Sequence, residues 1–122
     1  MKASICTQLF LVTLVLSGCS DVVTSHYATY QDAVDDNLFV RGWLPEILPE
    51  TASNMKISNN LDLNTSRGYF DLPTSEIVKF ASELRKTSDG KYTYSHGEIG
   101  RAPAWVFEID NAGHVTYELS AN

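Results

Sequence analysis

The sequence predicts an α+β fold: one small domain in which an antiparallel sheet of about five strands carries two main helices on one face. Two observations predict this class. Apolar and polar residues alternate in two separate parts of the chain, residues 54–72 and 91–119, as in a sheet with one buried face. Apolar residues recur at helical spacing before and between those parts. Helices and strands in separate stretches favour α+β packing.

Two helices are expected from this spacing. The first is predicted near residues 25–37, with Thr24 or Ser25 as its N-cap. Its apolar residues are Tyr27, Tyr30, Val34 and Leu38. The second is predicted over 73–86, with Thr74 as its N-cap and a negative charge in its first turn, where the helix dipole favours it. Its apolar stripe consists of Ile77, Phe80, Ala81 and Leu84.

The strands follow from period-two patterns. Residues 54–64 and 65–72 predict a strand pair, in which Met55, Ile57, Leu61 and Leu63 share one side. Residues 91–96 predict a further strand. The sequence "NAG" at 111–113 separates two alternating runs and predicts a hairpin. Its core face is expected to consist of Trp105, Phe107, Ile109, Val115, Tyr117 and Leu119.

The segment "RGWLPEILPE" at 41–50 is expected to form a rigid corner before the first of these strands. A residue before proline is pushed toward extended conformations, and proline suits the first position of a helical turn. Pro45 and Pro49 therefore predict two short turns. Trp43 has two possible roles, as a core residue or as a partly exposed platform for a sugar or peptide, and burial is favoured.

The beginning of the chain has the order of a secretory signal peptide, with Lys2, a short apolar run at 9–16 and then small residues. That run is too short for a spanning helix, which needs about 20 apolar residues. The sequence "LSGC" at 16–19 resembles the lipobox of bacterial lipoproteins. The resemblance implies cleavage before Cys19 and acylation of that cysteine. Ser20, rather than aspartate, implies the periplasmic side of the outer membrane; inner-membrane retention and surface exposure stay open.

Three parts of the chain are expected on this basis: a cleaved signal peptide at 1–18, a lipidated tether at 19–25 and one domain at 26–122. Cleavage removes Lys2 and leaves eight basic and fifteen acidic residues, a net charge of −7. This charge argues against nucleic acid as a partner, because such partners need a basic surface. The expected partners are the membrane, through Cys19, and another envelope protein.

No catalytic motif is visible in the sequence, and we expect no cofactor and no metal. Residues 62–73 begin like a calcium loop, but Arg67 stands in place of the required glycine and Pro73 in place of the glutamate. Adjacent Asp35 and Asp36 suit the solvated end of a helix better than an acid–base pair, because neighbouring helical residues point about 100° apart.

The candidate binding residues are Trp43 and three residues of the segment "SHGEIGRAP" at 95–103, namely His96, Glu98 and Arg101. Glycines and a proline punctuate that segment between two predicted strands, and such loops often carry binding residues. An ordinary polar strand connection is the simpler interpretation. A zinc site needs three or four ligands, which His96 and Glu98 alone do not supply.

The residues Gly42, Trp43, Leu44, Pro45, Leu48, Pro49 and Ala52, followed by an Asn/Asp-rich strand, resemble a segment found in small bacterial proteins, many of them secreted or lipidated. This resemblance implies a common fold and no activity. The leading hypothesis is a non-enzymatic, protein-binding module of the envelope, with an inhibitor or immunity-like protein as a specific form. The alternative is a small protein that binds or hydrolyses cell-wall saccharide.

Overall fold

The computed structural model describes residues 22–95 and 104–120. Seven strands form one antiparallel sheet in the order β1-β2-β3-β7-β6-β5-β4. The strands are β1 Val22–Thr29, β2 Ser53–Asn60, β3 Thr65–Asp71, β4 Arg85–Ser88, β5 Lys91–Ser95, β6 Ala104–Ile109 and β7 His114–Ser120. The helices are α1 Tyr30–Asp35 and α2 Ile77–Ser82, and a single 3-10 turn, Thr74–Glu76, precedes α2.

The predicted fold class, α+β with two main helices, is wrong. The chain is β-rich, because seven strands dominate it and each helix is only six residues long. Of the helix predicted near 25–37, residues 30–35 form α1, but residues 25–29 belong to β1, which pairs in continuous register with β2. The first residues of β1 are β-branched, and β1 is hydrogen-bonded to β2 along its length. Together these two features favour a strand over the helix that the apolar spacing predicts, because tertiary pairing outweighs local propensity. Residues 22–25, expected in the tether, form the first half of β1.

The second predicted helix is also much shorter than expected. Residues 85–88, at its predicted end, form β4, which folds back on β5 through a turn at Asp89 and Gly90. Gly90 has a φ of +71°, a conformation that favours glycine and closes this hairpin. The helical stripe therefore ends near Leu84, where the hairpin starts.

The strand pairs β2–β3 and β6–β7 confirm the period-two predictions. Trp105 stands opposite Leu119, and Phe107 opposite Tyr117, and all four are buried. The prediction that Leu61 and Leu63 share the buried side is wrong. Both lie in the 61–64 turn between β2 and β3, and both are exposed.

One face of the sheet is covered by the segments 30–52 and 72–84, and an aromatic cluster fills the space between. Phe80 of α2 stands edge-on to Phe107 of β6, with ring centroids 5.3 Å apart, and to Phe70 of β3 at 6.0 Å. Tyr117 and Trp105 extend this cluster, their rings 5.7 Å apart. Such edge-to-face pairs contribute about 0.5–1.5 kcal/mol each beyond the burial of their surface.

The segment 41–50 is a rigid corner, as predicted. Gly42, at φ +74°, ends a helical turn: its amide donates to the Phe39 carbonyl at 3.1 Å, and the Trp43 amide to the Leu38 carbonyl at 2.9 Å. This is the Schellman arrangement, which favours glycine. Two turns follow, in which the carbonyls of Pro45 and Pro49 accept from the amides three residues later. Leu44 and Leu48 between them are buried.

Candidate functional site

The face of the sheet opposite the aromatic core is uncovered within the described residues, and we call it the open face. Strand alternation places on it the polar residues of β2, β3, β5, β6 and β7. It holds a concavity of about 610 Å³. The lining residues are Lys56, Ser58, Arg67, Gly68, Tyr69, Lys91, Val106, Glu108, Thr116, Tyr117 and Glu118. This volume lies in the range of binding pockets for small ligands, about 300–1,000 Å³.

The charges of this concavity are only partly neutralised. Lys91 Nζ lies 3.7 Å from Glu108 Oε1 across β5 and β6. Lys56 and Arg67 form no ion pair with any described residue. The concavity thus holds three basic and two acidic side chains, although the whole chain carries a net charge of −6. Its local charge suits an acidic or mixed partner, not the basic partner that the overall charge suggests.

Gly68 lets β2 and β3 approach closely at the centre of the sheet. A Cβ at this position would lie 1.9 Å from the carbonyl oxygen of Lys56 and 3.0 Å from the hydroxyl of Tyr117. That hydroxyl is buried and makes no hydrogen bond of ordinary geometry to a described residue. Burial raises the pKa of Tyr117 above its usual range, and the nearby Ser66 side chain opposes that shift.

A histidine–carboxylate pair lies at one edge of the open face. His114 Nδ1 lies 2.7 Å from Asp71 Oδ1, and Asn54 Nδ2 donates to Asp71 Oδ2 at 2.9 Å. These contacts, Asn54 first and His114 second, hold the pKa of Asp71 below its usual range. The ring of Tyr69 lies 5.3 Å from that of His114. The contact with Asp71 fixes the orientation of the His114 imidazole through Nδ1. The other ring nitrogen, Nε2, faces away from Asp71. This arrangement is compatible with a ligand at Nε2 and equally with a purely stabilising role.

Trp43 is half-buried and packs against the core. The Arg41 guanidinium stands over its indole ring, 5.3 Å from the centroid, as in a cation–π contact. The Trp43 carbonyl accepts a hydrogen bond from Ser66 Oγ at 3.3 Å, which connects the corner to β3. The pocket beside Trp43 has a volume of about 60 Å³, enough for water and too small for a sugar ring. Asn59 lines it, and its buried Oδ1 has no partner among the described residues.

His96, Glu98 and Arg101 lie outside the described residues, as does Cys19. The chain leaves β5 at Ser95 and enters β6 at Ala104, which stand opposite each other in the sheet. Ala104 is paired with Ser120, next to Leu119, and Leu119 lines the small pocket beside Trp43. Ser95 and Ala104 therefore lie at the same end of the sheet as Trp43.

The acidic residues lie mainly on the covered side. A groove of about 310 Å³ separates the corner from α2, with Ile47, Pro49 and Phe80 among its apolar residues. Its polar lining residues are three glutamates, one lysine and one threonine, namely Glu50, Glu76, Glu83, Lys79 and Thr51. The groove on the covered side therefore has more acidic than basic lining residues, whereas the concavity of the open face has more basic than acidic ones.

Within 22–95 and 104–120, no three His, Cys, Asp or Glu side chains converge closely enough to hold a metal ion. Within the same residues, no helix is long and apolar enough to cross a membrane.

Residues 21–71, from just before β1 to the end of β3, match the YbbD head domain family. The match covers less than half of the 122 residues and includes the corner at 41–50. The strands β4 to β7 lie beyond it. No curated protein matches the chain, and no solved structure matches it either.

Sequence reasoning missed both features of the open face. Lys56, Arg67 and Lys91 are spread over 36 positions of the sequence and meet only through strand pairing. Asp71 and His114 are 43 residues apart and become neighbours because β3 pairs with β7. The available signal was the polar half of each alternating strand, which marks an exposed face but does not give its strand order.

Proposed function

We propose that this chain is a lipid-anchored protein of the bacterial envelope that binds another envelope protein through the open face of its sheet and catalyses no reaction. The proposal places acylated Cys19 on the periplasmic side of the outer membrane. The lipobox-like "LSGC" at 16–19 supports the anchor, and the match of residues 21–71 to the YbbD head domain supports an envelope protein.

One observation carries the binding function: a concavity of about 610 Å³ on a face where Lys56 and Arg67 have no ionic partner among the described residues. Lys56 and Arg67, without an ionic partner among the described residues, offer charge beside the apolar contact of Tyr69 and Val106. Interfaces favour this mixture, because arginine and tyrosine are enriched at their energetic centres. The partner that fits is a protein surface with carboxylates facing Lys56 and Arg67.

The test is site-specific photo-crosslinking in the intact envelope. A photoreactive residue at Thr116, inside the concavity, is expected to give a discrete crosslinked protein that mass spectrometry identifies. The double charge reversal Lys56→Glu/Arg67→Glu is expected to abolish that product, since it places negative charge opposite the partner's carboxylates. Lys79→Glu, a reversal on α2 on the covered side, is the matched control and is expected to keep it.

Cys19→Ala provides a second control, because a partner confined to the membrane surface is captured only when the chain is anchored there. A crosslink that survives the double reversal, or no crosslinked protein at Thr116, contradicts the proposal.

A second candidate is a saccharide-binding protein that uses the same concavity, where Tyr69 lies among polar side chains. The residues that the sequence offers for saccharide binding are Trp43, His96, Glu98 and Arg101. Purified full-length protein tested against soluble cell-wall fragments separates the two candidates. Binding that is lost in Tyr69→Ala favours the saccharide, whereas a protein crosslink with no fragment binding favours the leading proposal.

A further inference from the structure

One end of the sheet carries exposed apolar side chains on neighbouring elements. Val22 and Val23 begin β1, and Leu61 and Leu63 lie in the 61–64 turn. We call these four residues the apolar end. Their exposed fractions are 45%, 39%, 53% and 62%. They make up four of the eight large hydrophobic side chains that are exposed among the described residues, so half of these side chains lie at one end of the sheet.

The register of the sheet brings these residues together. Val22 stands opposite Asn60, the last residue of β2, and the 61–64 turn follows at once. Val22 and Leu63 line one hollow of about 350 Å³. Leu61 lies on the other side of the turn, beside the small pocket that Trp43 lines. The four residues therefore lie at one end of the sheet, with Val22 and Leu63 on one side of the 61–64 turn and Leu61 on the other.

The opposite end of the sheet is polar. Its hairpin turns contain Asp89 and Gly90 between β4 and β5, and the residues 110–113 between β6 and β7. None of the exposed large hydrophobic residues of the described chain lies in these two turns. Asp110 there accepts hydrogen bonds from the amides of Ala112 and His114, which close a polar loop. The asymmetry distinguishes the apolar end from ordinary turns of the same sheet.

We propose that the apolar end rests on the lipid bilayer, with Leu61 and Leu63 in its interfacial layer. The inference rests on the proposed acylation of Cys19. Only two residues, Ser20 and Asp21, separate Cys19 from Val22, a reach of about 10 Å at full extension. The headgroup layer on each side of a bilayer is roughly 5–8 Å thick. An acylated Cys19 thus holds the apolar end within or beside this layer, where exposed leucines are removed from water.

This placement determines the orientation of the sheet relative to the bilayer. The strands run away from the bilayer from Val22, and the polar turns point into the periplasm. The open face is then roughly perpendicular to the bilayer plane. A neighbouring envelope protein can contact it while the domain stays on the membrane. Asp62 lies between the two leucines, so the contact depends on apolar insertion and the lipid anchor, and needs no anionic lipid.

The test uses the mature lipidated protein, in which cleavage before Cys19 has removed Cys6, reconstituted into phosphatidylethanolamine vesicles with a minor fraction of phosphatidylglycerol. An environment-sensitive fluorophore is attached at Leu63→Cys, and at Ala112→Cys in the opposite polar turn as the matched control. Nitroxide groups on the lipid quench only fluorophores that lie near the bilayer. Because the proposed acyl thioether occupies Cys19, only the introduced thiol accepts the label.

The expected result is blue-shifted emission and strong quenching at position 63, with neither at position 112. Equal quenching at both positions, or none at position 63 in protein that sediments with the vesicles, overturns the membrane contact and leaves the lipid anchor intact. Labelling of Cys19 in the parental chain, together with failure to sediment, shows instead that the proposed acylation is wrong, and the membrane contact fails with it.

Discussion

The imidazole Nδ1 of His114 lies 2.7 Å from Oδ1 of Asp71, its partner across β3 and β7. The same carboxylate accepts a second hydrogen bond from Asn54 at 2.9 Å. Three residues from β2, β3 and β7 are thus joined at one edge of the open face. This link has a measurable consequence for stability in acid.

The pKa of Asp71 is lowered in the folded chain, so protonating it disfavours the folded state. Its contribution to stability is present above the unfolded pKa, about 3.9, and is lost as the pH falls through the lower folded value. Asp71→Asn is therefore expected to flatten the loss of stability below about pH 4. Urea unfolding at a series of pH values measures this slope. Glu46→Gln, at an exposed carboxylate on the corner, is the control, and an unchanged slope in Asp71→Asn contradicts the prediction.

Gly68→Ala is expected to destabilise the sheet at its centre. The new Cβ would lie 1.9 Å from the Lys56 carbonyl oxygen, so the backbones of β2 and β3 must separate. Overpacking of this kind costs about 2–3 kcal/mol. Gly42→Ala is the comparison, because its Cβ meets open space and only its φ of +74° is unfavourable, at about 1 kcal/mol. Chemical denaturation of both variants checks the order, and equal losses would contradict the steric explanation.

Tyr117→Phe is expected to leave stability unchanged or to raise it by up to about 1 kcal/mol, unlike most core substitutions. The change removes a buried hydroxyl without an ordinary hydrogen bond to a described residue and keeps the ring in the aromatic cluster. Ser66→Ala is the informative contrast, because it removes the hydrogen bond to the Trp43 carbonyl and should cost about 1 kcal/mol. Thermal melts measure both. A clear loss in Tyr117→Phe would show that its hydroxyl is paired.

Phe107→Ala and Val106→Ala test the two faces of the sheet at adjacent positions of β6. Phe107 is fully buried against Phe80 and Tyr117, so its truncation is expected to cost about 3–5 kcal/mol. Val106 lies in the concavity of the open face and is 37% exposed, so its truncation should change stability by no more than about 0.5 kcal/mol. Comparable losses at both positions would mean that the open face is covered.

Local sequence patterns were enough to predict the strands that alternate cleanly, the hairpin at 111–113 and the turns at Pro45 and Pro49. These features depend on neighbours in the chain, since burial on one face sets the period of two and proline restricts its own φ. The two predicted helices extend too far, into residues 25–29 and 85–86, because apolar spacing along the chain does not show where a helix gives way to a strand. Only pairing with β2 and β5 decided between them.

The tertiary structure alone decided the open face. Strand order brought Lys56, Arg67 and Lys91 around one concavity and placed Asp71 against His114. It also placed Leu61 and Leu63 beside Val22 instead of in the core. Alternation along a strand shows which of its sides is buried. Which residues become neighbours depends on hydrogen bonding between strands that are distant in sequence.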